Sequence, residues 1–310
     1  MPELPEVTVI TEQLNKKLKG LVLKSIEYDW PKKFYWGKFS VKDLKGAKIT
    51  GVERRGKVIL INTDKKITIL IHLKLTGQLI YQDAKTRIAG GHPIPPLNLP
   101  APNKTTRVTF AFNNGGPTSS STTLKELRGS RRLRGTSHLY FNDMRKFGWV
   151  KIVRSDKSEV KKAIGQELGP DPLEMTFEEF CERLAKKPQS RIKKLLMDQS
   201  FIAGVGNIYS DEALWRAKIH PRRSAISLSP LEVRRLYDGI RESLRLAIEK
   251  GGSSANSYVD SGGERGLYLS YARAYHMTGK PCARCKTPIV REKMDGRSAH
   301  FCPNCQVTLG

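Results

Sequence analysis

Apolar positions follow two regimes along the chain, short strand-like runs up to about residue 154 and helical spacing beyond it. Ahead of both, Val7, Ile10, Leu14 and Leu18 recur at three- and four-residue steps, which predicts a first helix. Pro5 suits its opening and Glu6 its first turn. Residues 22–26, 47–52, 58–61 and 67–72 are short, rich in β-branched side chains and bounded by turn or charge clusters, so they read as strands. Residues 83–102 hold prolines at 93, 95, 96, 100 and 102 and read as a loop or extended connector. Residues 107–112 and 138–141 resume the sheet. Between them, 113–137 is poor in apolar residues and carries Arg128, Arg131, Arg132 and Arg134, the pattern of a flexible basic insertion.

Past Arg154 the period lengthens. Gly169-Pro170-Asp171-Pro172 reads as a linker. Thr176-Phe177-Glu178-Glu179 has the form of a capping box for a helix with Phe177, Phe180 and Leu184 on one face, stopped by Pro188. Ser190 is placed to cap the next helix, which turns Ile192, Leu195 and Leu196 inward beside Lys193 and Lys194. Ala203-Gly204-Val205-Gly206-Asn207 makes a glycine turn, with Asn207 as the cap of a following helix whose exposed N–H groups suit a phosphate. Ser229-Pro230-Leu231-Glu232 caps a long helix with Val233, Leu236, Ile240, Leu244 and Ile248 as its stripe, closed by Gly251-Gly252. These signals divide the chain into 1–155, a linker 156–175, a helical unit 176–252 and a terminal segment 253–310.

Charge changes the picture next. Fifty-five Lys and Arg against 30 Asp and Glu leave a formal +25 over 310 residues, which points to a polyanionic partner. No apolar run approaches about 18 residues and the start lacks a signal-peptide plan, so a membrane is not expected and a cytoplasmic protein is. Four of the five cysteines stand as Cys282-x-x-Cys285 and Cys302-x-x-Cys305, four thiolates for one structural, closed zinc ion. Asp295-Gly296-Arg297 between them presents Arg297 at a hairpin tip. Cys181 lies apart, in an apolar helix, and reads as a buried residue.

The N-terminus offers chemistry. Removal of Met1, which the small Pro2 permits, would leave a secondary amine able to attack a sugar carbon and hold the product as an iminium. Glu3 and Glu6 lie close enough to move protons for it, although the same stretch also reads as a well-capped helix. Arg54-Arg55-Gly56-Lys57 precedes a strand, which would aim Lys57 at a phosphate or reacting group. His72, a lone histidine beside apolar residues, reads as a packed strand residue before a ligand. Arg145 and Phe147, two apart in an extended segment, would point to one side and either wedge into a base stack or pack at the core edge.

Four motifs occur in one order: the opening Met1 to Val7, Arg145-Lys146-Phe147-Gly148, Gly204-Val205-Gly206-Asn207-Ile208-Tyr209 and the cysteine finger ending Cys302-Pro303-Asn304-Cys305-Gln306. Together they closely resemble formamidopyrimidine-DNA glycosylases over nearly the whole chain. The resemblance implies an α+β fold: an N-terminal two-layered β-sandwich with flanking helices, a helix-two-turn-helix domain and a zinc-finger β-hairpin. It also implies a glycosylase and abasic-site lyase of base excision repair, acting on double-stranded DNA with an oxidised purine or abasic site; a monomer is the simpler expectation, associated with the nucleoid if bacterial. In its terms Pro2 is the Schiff-base nucleophile, Glu3 supports it and Glu6 protonates the sugar ring oxygen. Lys57 contacts the phosphate or lesion, and Lys193, Asn207 and Arg297 hold the flanking phosphates with help from His72. Leu75, Arg145 and Phe147 fill the gap in the duplex, with Leu75 where the family usually has methionine. Residues 260–269 resemble its lesion-binding loop. Two rivals share parts of this pattern: an endonuclease VIII-like enzyme for oxidised pyrimidines, and a non-catalytic zinc-finger protein that binds damaged DNA.

Overall fold

The computed structural model describes residues 1–91, 99–113, 136–165, 168–253 and 266–308. The expected basic insertion, apart from its two ends, and most of the loop-like 260–269 segment lie outside these residues.

Helix α1 (Leu4–Leu18) opens the chain, followed by β1 (Val22–Tyr28), β2 (Phe34–Tyr35), the single turn α2 (Val41–Leu44), β3 (Ile49–Arg55), β4 (Val58–Thr63) and β5 (Ile67–His72). Then come β6 (Gly77–Gln82), β7 (Arg87–Gly91), β8 (Thr106–Asn113), β9 (Thr136–Asp143) and β10 (Trp149–Arg154). They form two five-stranded sheets, β1-β8-β9-β6-β7 and β2-β10-β5-β4-β3, the expected two-layered sandwich. Alternation decides which face each side chain takes. Ile59, Ile61, Ile69, Ile71, Val150 and Ile152 face Leu79, Phe110, Phe112, Leu139 and Phe141 in the inter-sheet core. Val58, Leu60, Leu70 and Val153 point the other way, under α3 (Lys157–Ile164), so the second sheet is apolar on both faces.

Strand β7 corrects the reading of 83–102 as a connector. It pairs with β6 from Gln82↔Arg87 to Gln78↔Gly91, and its Gly90 is needed because a Cβ there would lie 2.8 Å from Ile10 Cγ1. Close approach of α1 is the reason for Gly90 at this strand end.

Helices α4 (Phe177–Ala185), α5 (Ile192–Met197), α6 (Asn207–Ala217) and α7 (Pro230–Glu249) build a second core around Phe180, Leu196, Ile202, Leu214, Leu236, Ile240 and Leu244. Ser229 and Glu232 form the capping box expected for α7. At α4 only one half is present, Thr176 accepting from the Glu179 amide. Arg191 rather than Ser190 is the N-cap of α5, and Gly206 rather than Asn207 that of α6. The short α8 (Tyr268–Tyr271) leads to the hairpin β11 (Val290–Met294) and β12 (Arg297–Phe301), turned at Asp295 and Gly296, both at positive φ.

Leu4 belongs to the second core and Val7 to the first, so the opening turn of α1 plugs one domain into the other. Arg54 ties the linker to the same place: its guanidinium meets Asp171 at 2.5 Å and donates to Thr8 Oγ1 at 2.6 Å. Among the described residues no helix is long and apolar enough to cross a membrane.

Candidate active site

The N-terminus lies where the two domains meet. Glu3 is the N-cap of α1 and forms a capping box with Glu6, its amide donating to Glu6 Oε2 at 2.8 Å. Its own carboxylate reaches into the second domain, where Oε1 accepts the Ile208 amide at 3.0 Å. Gly204 and Gly206 exist for this approach. A Cβ on Gly204 would lie 2.7 Å from Leu4, and one on Gly206 2.4 Å from Glu3 Cδ. The free N–H groups of the α6 N-terminus, read from sequence as a phosphate site, are therefore partly spent on Glu3, whose charge suits the helix dipole. Glu3 Oε2 is buried without a hydrogen-bond partner among the described residues. Pro2 is buried beside it and Met1 half exposed, so cleavage after Met1 would expose the Pro2 nitrogen at this point.

Lys57 extends from the β3–β4 turn to the same place and donates to the Val205 carbonyl at 3.0 Å. Burial pushes the Glu3 carboxyl above its ordinary range, against the pull of Lys57, and burial likewise draws the Lys57 amine down, against the pull of Glu3 and Glu6. Both groups are thus biased toward their neutral forms, the condition in which proton exchange is inexpensive. Glu6 is more constrained. Oε1 accepts from the Tyr209 hydroxyl at 2.5 Å and from the Ser253 amide and hydroxyl at 2.8 and 3.0 Å, while Oε2 holds the Glu3 amide. These contacts from α1, α6 and the end of α7 fix the Glu6 carboxylate in place.

The expected duplex-facing residues stand on two adjacent loops. Leu75 and Phe147 are exposed, and the Arg145 guanidinium lies 5.0 Å from the centre of the Phe147 ring. They are not in an extended strand as the sequence suggested: β10 starts at Trp149, and Lys146 between them adopts φ 57°. Asp143, buried at the end of β9, fixes the geometry by accepting from Thr76 on the Leu75 loop and from the Gly148 amide at 2.6 Å on the other. His72 lies behind them with its ring 5.5 Å from that of Trp149. Its Nδ1 accepts the Lys74 amide at 3.0 Å, which leaves the proton on Nε2, and burial lowers its pKa to about 3.

A third group lies on the helical side. Arg297 is exposed at the hairpin tip, and Asn207 at the start of α6 keeps Oδ1 buried and without a partner among the described residues. Lys193 is buried rather than presented, its ammonium bonded at 2.5 Å to both Asp211 Oδ1 and the Ser298 carbonyl. Two of its three N–H donors are engaged and one is left. It lines, with Lys187, Lys194 and Arg297, a cleft of about 500 Å³ between α5 and the hairpin. Cys181, expected in the core, is half-buried and lines a separate apolar cleft between α4 and α7 that contains none of the site residues.

The ligand atoms of Cys282, Cys285, Cys302 and Cys305 all lie within 4.8 Å of one another. Tetrahedral zinc at about 2.3 Å from each sulfur needs sulfurs about 3.8 Å apart, so the cluster fits a structural zinc ion. Trp215 and Ile289 pack against it and fasten the finger to α6. Tyr209, Ser253, Asp143, Thr76 and Asp211 escaped the sequence reading. Only Tyr209 lay within a motif, and apart from the Gly148 amide on Asp143 the partners of the others are distant in sequence.

The chain's own N-terminus lies between two domains, one bearing the exposed Leu75 and Phe147 loops and the other fastened to a four-cysteine hairpin, an arrangement consistent with the helix-two-turn-helix DNA glycosylases that the sequence resembles. Family models agree: the formamidopyrimidine-DNA glycosylase N-terminal domain matches residues 1–150, its H2TH domain 168–259, and the zinc finger found in FPG and IleRS 279–307. The formamidopyrimidine-DNA glycosylase of Pelotomaculum thermopropionicum is 38% identical over 309 residues, 99% of each chain, and that of Herpetosiphon aurantiacus 38% identical over 313, 99% of this chain and all of the other. Among solved structures, Lactococcus lactis Fpg with abasic-site-containing DNA matches with TM-score 0.78 at 30% identity, over 99% of this chain and 100% of the other. MutM (FPG) from Thermus thermophilus matches with TM-score 0.76 at 33% identity, over 98% of each. The chain belongs to the formamidopyrimidine-DNA glycosylase family.

Proposed function

We propose that this chain excises oxidised purines, 8-oxoguanine and formamidopyrimidines, from duplex DNA and then cleaves the abasic strand, with the Pro2 amine as nucleophile once Met1 is gone. The observation that carries this reading is the buried Glu3 carboxylate, with one oxygen anchored on Ile208 and the other, without a partner among the described residues, next to Pro2 and Lys57. Family members bound to Fapy-dG-containing DNA, to carbocyclic 8-oxo-G-containing DNA and to abasic-site DNA support the substrate class.

The amine lone pair attacks C1′ as the C1′–N bond to the base breaks, the amine's proton leaving with the base; the C1′–O4′ bond then breaks, O4′ takes a proton from Glu6, and the nitrogen lone pair closes the C1′=N iminium. The resulting iminium acidifies C2′; loss of that proton expels the 3′ phosphate by β-elimination, and a second elimination expels the 5′ phosphate. Glu3 balances the cation and exchanges the protons, Lys57 approaches the adjoining phosphate or the lesion, and His72, neutral with Nε2–H outward, donates a hydrogen bond. Glu6 aligns the N-terminus and is the proton source for the ring oxygen. Leu75, Arg145 and Phe147 occupy the space left by the flipped nucleotide, offsetting an unstacking cost of about a few kcal/mol. Arg297, the amide nitrogen of Asn207 and the free donor of Lys193 hold the flanking phosphates. Zinc, when bound, supplies no reaction step and fixes the hairpin that bears Arg297. Domain boundaries at 155, 175 and 252, monomeric action and a cytoplasmic, nucleoid-associated location belong to the same reading.

The test is excision from duplexes carrying 8-oxoguanine or thymine glycol, by wild type and Pro2→Gly. Cleavage of the purine lesion that is lost in Pro2→Gly while lesion binding persists supports the proposal. Preference for thymine glycol would instead assign the chain to endonuclease VIII-like chemistry, and binding without any excision to damage recognition alone.

A further inference from the structure

We infer that Asp211 is the positioning residue that holds the three phosphate-contacting groups in one frame. The inference rests on the phosphate-clamp reading of Lys193, Asn207 and Arg297. Asp211 lies four residues after Asn207 on α6, one turn along and on the same face. Its Oδ1 takes the Lys193 ammonium from α5 at 2.5 Å, and its Oδ2 takes both the amide and the ring Nδ1 of His300 on β12 at 3.0 Å. Lys193 closes the circuit by donating to the carbonyl of Ser298, the neighbour of Arg297. One carboxylate, 1% exposed, thus joins α5, α6 and the zinc hairpin, and sets how far along α6 the strand bearing Arg297 sits.

Both of its oxygens are engaged and neither faces solvent, so Asp211 touches no DNA. Its effect passes through other residues. Asn in its place is isosteric but presents one acceptor where two are used, so either Lys193 or the β12 backbone is released. The lysine then lacks its counter-charge in a buried site, and Arg297 loses its fixed height above Asn207. The N-terminal site bonds to the Val205 carbonyl and the Ile208 amide, backbone groups to which the Asp211 side chain makes no bond, and keeps its contacts.

The test is a double-mutant cycle on the full chain, read as the dissociation constant for a duplex with a tetrahydrofuran abasic-site analogue. Arg297→Ala in wild type is expected to weaken binding about 10- to 100-fold, the cost of a buried-phosphate contact. In Asp211→Asn, binding is already about tenfold weaker, the same Arg297→Ala step costs less than threefold, and the salt slope of log Kd falls by about one phosphate equivalent. Single-turnover cleavage of a natural abasic site at saturating enzyme stays within about threefold of wild type, an outcome that general unfolding would not give. If Asp211→Asn does not fold, the cycle is run in Lys193→Met/Asp211→Leu, which leaves no buried charge, and is compared with Lys193→Met. A full Arg297→Ala penalty in the Asp211 background overturns the inference. No Arg297→Ala penalty in wild type would instead overturn the clamp reading on which it rests.

Discussion

Gly206→Ala is the sharpest steric probe of the site. Gly206 sits at φ −135° and ψ −152°, extended backbone that alanine also adopts, so the substitution adds a methyl group without straining the chain. That methyl would lie 2.4 Å from Glu3 Cδ and 2.5 Å from Oε1, where ordinary contacts begin at 3.4 Å. Relief requires the carboxylate to withdraw by about 1 Å, which breaks its bond to the Ile208 amide. Overpacking costs about 1–3 kcal/mol and the buried amide left without a partner about 1–3 more, part of which water entering the cleft recovers. A displacement of about 1 Å at a reacting group lowers rate by about 100-fold. Single-turnover strand cleavage of an 8-oxoguanine duplex is therefore expected to fall by about two orders of magnitude. Gly206→Ala combined with Glu3→Gln should be no slower than the worse single variant. Cleavage within threefold of wild type, in a protein that still folds, would refute the claim that this glycine exists to seat Glu3.

Other consequences are independent of that one. Phe147→Ala or Leu75→Ala should slow excision of a paired lesion by about tenfold or more, yet leave cleavage of a preformed abasic site little changed, because only the first must offset unstacking. Chelation of zinc, or Cys305→Ser, should weaken lesion-DNA binding and flatten its salt dependence, measured beside metal stoichiometry, while the sandwich keeps its β-sheet circular dichroism. His72 has a folded-state pKa depressed to about 3. Its contribution is fully present above about pH 6.5 and is lost as pH falls toward 3. Relative to His72→Gln, wild type should thus lose about 1–2 kcal/mol over that window in urea unfolding, after discounting for the ring's partial exposure. A difference that does not change with pH would remove the burial assigned to the ring.

Much of this architecture is written in local pattern. The Val7, Ile10, Leu14 and Leu18 stripe, the β-branched runs of β4 and β5 and the paired cysteine knuckles each follow from a period, a composition or a spacing that one segment carries alone. What sequence could not supply is the partner of a side chain. Glu3 as an N-cap breaks the usual preference for Ser, Thr, Asp or Asn, and its ligand at Ile208 is 205 residues away. Gly204-Val205-Gly206 looked like a phosphate turn because glycines before a helix usually are one; here their missing Cβ atoms make room for Leu4 and Glu3. Lys193 looked like a surface cation beside Lys194, since nothing local announced that Asp211 and a hairpin strand would enclose it. The cross-domain contacts that build the site are long-range, and helical or strand periodicity is blind to them.

The account turns on the Pro2 amine, and one measurement addresses it directly. Wild-type protein is incubated with an 8-oxoguanine duplex and borohydride, and the reduced adduct is digested and located by mass spectrometry. The expected result is a single adduct on an N-terminal proline, with Met1 absent. An adduct on Lys57 or any other lysine, or strand cleavage by protein that retains Met1, would contradict it.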